Sequence, residues 1–95
     1  MTESIREKVK KAHHSSPDVI IGKNGVTPGV IEEIRTRLKT KGVVKVKILR
    51  TGIDEGKGLD RRSIARLVAE KTGARLMGIR GRTFVLYKAG RKDSK

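Results

Sequence analysis

Gly22-Lys23-Asn24-Gly25 separates a β-branched run from a capped helix start. The chemistry of such a loop is that of an anion cradle. Two glycines let the backbone come close to a bulky partner. Exposed N–H groups near a helix N-terminus suit a phosphate. Lys23 adds a positive charge and Asn24 a donor. A plain strand-to-helix turn would have the same composition. Gly25 is not followed by Lys and Ser/Thr, so the loop is neither a Walker A motif nor a GxGxxG fingerprint. Further along, Arg80-Gly81-Arg82 puts two guanidinium groups in a short turn, and Arg62 and Arg66 stand one helical turn apart. All of these suit phosphates. The alternative for the Arg80–Arg82 tip is a charged hairpin that keeps an edge strand from aggregating. Arg35, Arg37, Lys39 and Lys41 form a more neutral group, since Glu32–Arg35 and Glu33–Arg37 have the spacing of helical ion pairs.

Other chemistries lack their parts. Cysteine is absent, which removes disulfides, thiolate metal sites and cysteine nucleophiles. His13 and His14 are neighbours and diverge on a helix, so they are expected to be exposed and to share no metal. The acidic residues form no HxxE motif and no paired carboxylates, and there is no nucleophile elbow. Asp54-Glu55 lies in a glycine-rich stretch without the regular oxygen ligands of a calcium site. Neither enzymatic activity nor a cofactor or metal is expected. Phe84 and Tyr87 are the only aromatic residues, and their odd spacing directs them to opposite faces of a strand. A sheet that reads single strands by stacking needs two or three rings on one face. Recognition must then rest on phosphate, sugar and shape contacts.

The whole composition agrees with a polyanionic partner. The chain has 95 residues, with 24 Lys+Arg against 10 Asp+Glu, a formal charge of +14. Self-repulsion of that size is relieved by a polyanion, and nucleic acid is the natural one. Residues 75–95 alone carry seven Lys/Arg against one Asp. No run reaches the ~18 apolar residues of a membrane span, and no apolar core follows the N-terminal charges as a secretory signal requires. The expected protein is a soluble intracellular domain with nucleic acid, and no membrane, as its partner.

The elements that would position these residues follow from pattern. Met1–His14 reads as an amphipathic helix with a Ser4–Glu7 capping box, closed before Pro17. Val19–Ile21 reads as a short central strand, apolar on both faces. Thr27-Pro28 opens a helix that runs to Lys41 and stops at Gly42. Val44, Val46 and Ile48 alternate with Lys45 and Lys47, a half-buried strand with a basic outer face. Thr51–Gly58 reads as a flexible loop. Asp60 caps a third helix whose inner side is marked by Ile64, Leu67, Val68 and Lys71, with Gly73 as its stop. Arg75–Ile79 and Thr83–Lys88 form a hairpin. Residues 1–90 make one domain, and 91–95 a basic, disordered tail.

The order αβαβαββ predicts an α/β two-layer sandwich: a four-stranded mixed sheet with helices mainly on one face. If the first three strands are parallel, their carboxyl ends share one edge. The loop Gly22–Gly25, Arg50 with the loop containing Lys57, and the Arg80–Arg82 turn then gather there. Ligands of open α/β sheets bind outside carboxyl ends for this topological reason.

Four blocks carry a family resemblance: Ile21-Gly22-Lys23-Asn24-Gly25-Val26-Thr27-Pro28-Gly29-Val30; Val44-Lys45-Val46-Lys47; Glu70-Lys71-Thr72-Gly73-Ala74; and Gly81-Arg82-Thr83-Phe84-Val85-Leu86-Tyr87. In this order they resemble the stand-alone, YhbY-like form of the CRM (chloroplast RNA splicing and ribosome maturation) domain, over roughly residues 4–90. The resemblance implies an RNA-binding domain with a fold similar to the C-terminal domain of translation initiation factor three. It implies association with precursors of the large ribosomal subunit, and it maps the family's GxxG loop onto Gly22, Lys23, Asn24 and Gly25. Thr51–Leu59 is longer and richer in glycine than the family pattern. Two rival readings are an Alba-like chromatin protein coating duplex DNA as a dimer, and an integral ribosomal protein. The short Arg80–Arg82 connection departs from the long final hairpin typical of Alba.

Overall fold

The computed structural model describes residues 4–50 and 60–88. The loop expected at Thr51–Gly58 and the tail at 91–95 lie outside the described residues. Seven elements follow in the expected order: α1 (Ile5–His14), β1 (Val19–Ile21), α2 (Pro28–Lys41), β2 (Val43–Ile48), α3 (Arg61–Thr72), β3 (Arg75–Arg80) and β4 (Thr83–Tyr87). Each helix starts where the sequence provides an oxygen for an orphan N–H. Ser4 accepts from the Glu7 N–H while the Glu7 side chain accepts from the Ser4 N–H, completing the capping box. Thr27 accepts from the Val30 N–H, with Pro28 beside it. Asp60 accepts from the Ser63 N–H at 3.0 Å. Hydrogen bonding to the Ser63 side chain and backbone holds the Asp60 carboxyl below its ordinary value.

The four strands form one mixed sheet in the order β1-β2-β4-β3. β1 pairs parallel with β2, while β4 pairs antiparallel with both β2 and β3. The first three strands therefore point the same way, and β4 is threaded between β2 and β3. β1 lies at an edge, not in the centre, and Ile20 is 53% exposed. Three β-branched residues in a row carry no information on how many neighbours a strand has.

The main core lies under α2 and α3. Ile31, Ile34 and Leu38 from α2 and Ile64, Ala65, Val68 and Ala69 from α3 meet Val19, Ile21, Val44, Val46, Ile48, Phe84 and Leu86. Burying each large member contributes on the order of 1.5–3 kcal/mol. The inner side of α3 is rotated from the expected stripe. Ala65, Ala69 and Thr72 are buried, whereas Leu67 and Lys71 are exposed. Thr72 can be buried because its hydroxyl donates to the Val68 carbonyl at 2.8 Å.

The opposite face carries α1. Val9 packs with Val43 and Val85, joined by Ala12, Met77 and Tyr87. This corrects the reading of β2 as basic on an outer, solvated face. Lys45 is only 9% exposed, and its ammonium donates to the His13 and Ser15 carbonyls at 2.9 and 2.7 Å. Lys45 therefore serves as a cap for the C-terminal end of α1. Phe84 and Tyr87 do fall on opposite faces, and Phe84 is fully buried.

His13 is not freely exposed as expected. It lies over β3, where Gly78 leaves room for the ring: a Cβ at that position would stand 3.1 Å from His13 Nε2. The neighbouring register shift between Leu76 and Gly78 turns both Leu76 and Ile79 toward the main core. His13 Nδ1 is buried with no hydrogen-bond partner among the described residues. Burial first, then the Arg80, Lys45 and His14 cations, lower the His13 pKa below 6.5. The neutral ring is thus favoured by the fold, while the unfolded chain takes up a proton near pH 6.5. Stability should fall as pH drops through about 6.5 toward the lower folded value, and level off beneath it. Urea midpoints at about pH 7.5 and about pH 5.5 check this. A His13→Leu variant is expected to show a smaller difference between the two, and an unchanged difference would remove His13 as its source.

Candidate nucleic-acid interface

Parallel alignment of β1, β2 and β3 brings their carboxyl ends to one edge, as expected from the element order. The N-termini of α2 and α3 sit at the same edge, because each helix follows a strand that ends there and runs back along the sheet. Hydrogen bonds tie the pieces together. The Leu49 N–H donates to the Ile21 carbonyl at 2.8 Å, joining β2 to the start of the Gly22–Gly25 loop. The Ile48 N–H donates to the Arg82 carbonyl at 2.7 Å, joining β2 to the hairpin turn. Arg61 Nη1 donates to the Gly81 carbonyl at 3.2 Å, joining α3 to the same turn. With strand spacing near 4.8 Å, the loop after β1 and the end of β3 stand about 14 Å apart.

Gly22-Lys23-Asn24-Gly25 closes as a tight turn, with the Gly25 N–H donating to the Gly22 carbonyl at 2.9 Å. Lys23 and Asn24 are exposed at its tip. The two glycines have different reasons to be there. Gly25 has φ +72°, which a side chain would strain. Gly22 has no such φ, and a Cβ there would meet only Leu49 Cδ1, at an ordinary 3.8 Å. A methyl group would fit at position 22, so neither packing nor backbone conformation within the fold requires glycine there.

Arg80, the last residue of β3, and Arg82, within the two-residue connection Gly81-Arg82, are both exposed. Arg62 and Arg66 are exposed on α3. Arg62 lies in its first turn at the edge and Arg66 one turn further away. No hydrogen bond or ion pair among the described residues links either to the loop. Arg61, the residue before Arg62, is the arginine of α3 that contacts the turn. Its place at the first helical position, next to the Asp60 cap, was the available signal. Arg50 is exposed beyond β2, and Lys57 lies outside the described residues.

Several of the other basic residues have local work. Arg37 pairs with Glu33 at 3.4 Å and Lys41 with Asp18. Arg35 does not use Glu32 as the spacing predicted; its Nη2 donates to the Lys71 carbonyl at 2.9 Å. Arg35 lines a 690 Å³ groove between α2 and α3 together with Lys88, which donates to the Thr72 carbonyl at 3.3 Å. Arg35 and Lys88 both serve C-terminal carbonyls of α3, and Glu32 and Glu70 face Lys39 and Lys71 in the same groove. Among the described residues no group of three or more His, Asp or Glu is placed to hold a metal, and no helix is long and apolar enough to cross a membrane.

The chain is thus a small α/β domain that carries a glycine-bracketed loop and an arginine turn on one basic edge of its sheet. The chain belongs to the CRS1 / YhbY (CRM) domain family, whose pattern it matches over residues 1–88. It is 36% identical over 81 residues to a Haemophilus influenzae protein named "RNA-binding protein", covering 81% of this chain and 73% of that one. It is 29% identical over 83 residues to the Bacillus subtilis "Probable RNA-binding protein YqeI", covering 87% and 81%. The solution structure of SAV1595 from Staphylococcus aureus has the same fold, with a TM-score of 0.71 at 24% identity, over 94% of this chain and 88% of that one.

Proposed function

We propose that this chain binds RNA through the carboxyl edge of its sheet, and that the RNA is a ribosomal precursor whose assembly into the large subunit it assists. The observation that carries the reading is the convergence at one edge of the Gly22–Gly25 loop, the Arg80–Arg82 turn and two helix N-termini. Family membership and relatives named for RNA binding support it. The ribosomal target rests on the likeness to stand-alone YhbY-like domains. In this reading Lys23, Arg80, Arg82, Arg62 and Arg66 take phosphates, Asn24 donates, and Gly22 and Gly25 let the backbone approach. The protein acts as a cytoplasmic monomer, by binding and without catalysis.

Affinity should be dominated by counterion release. With about 4–6 phosphates contacted, log K against log salt is expected to slope between roughly −3 and −5. Structured RNA should outcompete duplex DNA of equal length. Equal or stronger binding to duplex DNA would favour a chromatin role instead. Crosslinking with sequencing of the bound RNA tests the ribosomal target, and fractionation separates an assembly factor, which leaves mature subunits, from a ribosomal protein, which stays.

A further inference from the structure

One rung of the sheet crosses all four strands on the face opposite α2 and α3. Ile20 pairs with Lys47, Lys47 with Thr83, and Thr83 with Arg80. The next rung inward, Lys45–Val85–Gly78, lies under the end of α1, with Lys45 bonded to the α1 carbonyls and Gly78 beneath His13. The outer rung has no such cover from α1. Ile20 is 53% exposed, Arg80 is exposed, and Lys47 and Thr83 are half-buried.

Lys45 and Lys47 therefore share a face of one strand and differ in employment. The Lys45 ammonium donates to two carbonyls, whereas the Lys47 ammonium makes no hydrogen bond or ion pair with any described residue. The same is true of the Arg80 side chain. No carboxylate stands in the rung. Lys47 and Arg80 are two strand spacings apart, about 9.5 Å, with an aliphatic side chain at one end of the row. Lys23 and Arg82 lie just past the ends of the same strands, so the strip continues from the carboxyl edge.

We propose that a single RNA strand held at that edge turns onto this face and lies along Ile20, Lys47, Thr83 and Arg80. Phosphates meet Lys47 and Arg80, and a ribose or base packs on Ile20. This rests on the RNA-binding reading above and extends it to a second surface. The strip fits one strand: it is about 7 Å deep between the end of α1 and the sheet edge, whereas duplex RNA is read across successive grooves. Charge complementarity fixes the occupant as a polyanion, and Ile20 supplies the apolar contact that a bare phosphate chain would not use.

Methyl NMR of the full chain during titration with oligouridine tests this directly. The Ile20 methyl signal should move, while that of Ile5, exposed at the start of α1, should not. Lys47→Gln should weaken oligouridine binding roughly threefold to tenfold and reduce the salt slope by about 0.7, the value for one phosphate on a single strand. Lys39→Gln, the same charge change at the opposite edge, should do clearly less. An unmoved Ile20 signal, or equal losses in the two variants, overturns the strip; if structured RNA still binds at the Gly22–Gly25 loop, the RNA-binding reading survives. A shift of Ile20 with duplex RNA but not with oligouridine overturns the single-strand assignment. Failure to bind any RNA overturns both readings.

Discussion

Replacing Lys23 and Asn24 together by aspartate is expected to lower RNA affinity at least tenfold, about 1.4 kcal/mol or more. One attraction and one donor are removed, and two negative charges are placed where a phosphate is assigned. The fold should hardly respond. Both side chains are exposed at the tip of the turn, and neither has positive φ, so the change should stay within about ±0.5 kcal/mol. Any change of −3 in net charge weakens binding to a polyanion, so a matched variant is needed. Thr36→Asp with Arg37→Asp makes the same change on α2, where Arg37 is already neutralised by Glu33. Binding titrations should show a much larger loss for the loop variant. Similar losses in both would reduce Gly22–Gly25 to an ordinary turn. Gly22→Ala adds a test without charge, since its new methyl meets only Leu49 within the fold. It should leave stability intact while weakening a partner that needs the bare backbone.

What could be read from the sequence depended on how local the physics was. Ser4, Thr27 and Asp60 each act on an N–H group three residues away, so the helix starts were legible. The convergence at the carboxyl edge was legible too, because parallel strands joined by helices leave little choice of direction. The edge position of β1 was not, since it depends on β4 inserting between β2 and β3. The rotation of α3 escaped for another reason. Hydrophobicity ranks Leu67 above Ala65 and Ala69, yet the alanines and Thr72 sit underneath while Leu67 lies at the rim. Within the candidate site, the loop and turn were legible from composition, and the Arg61 bond to Gly81 and the row from Ile20 to Arg80 were not. Those two depend on tertiary register, which no local spacing encodes.

The covered face of the sheet escaped because its partner is weakly marked. α1 has ten residues, too few to persist alone, and its stripe offers little beyond Val9 and Ala12, with Ile5 42% exposed. Its docking thus relies heavily on Lys45, and Lys45→Met should expose that reliance. Methionine keeps the length of the side chain and its apolar stem, but leaves the His13 and Ser15 carbonyls without their donor. Unmade bonds at part-buried acceptors cost about 1–3 kcal/mol. Removing a charge from a buried position offsets some of this, which is why the sign is informative. The expected result is a lower urea midpoint, with α1 amides exchanging much faster than before and those of β2 and β4 changing less, because α1 opens as a local unit. The Tyr87 and Val85 side chains would then become accessible from the α1 side, while the main core under α2 and α3 stays closed. Unchanged or higher stability would mean that the ammonium contributes nothing net and that Val9 and its neighbours hold α1 by apolar contact alone. Val9→Ala makes that separation: if apolar contact dominates, it should loosen α1 more than Lys45→Met does.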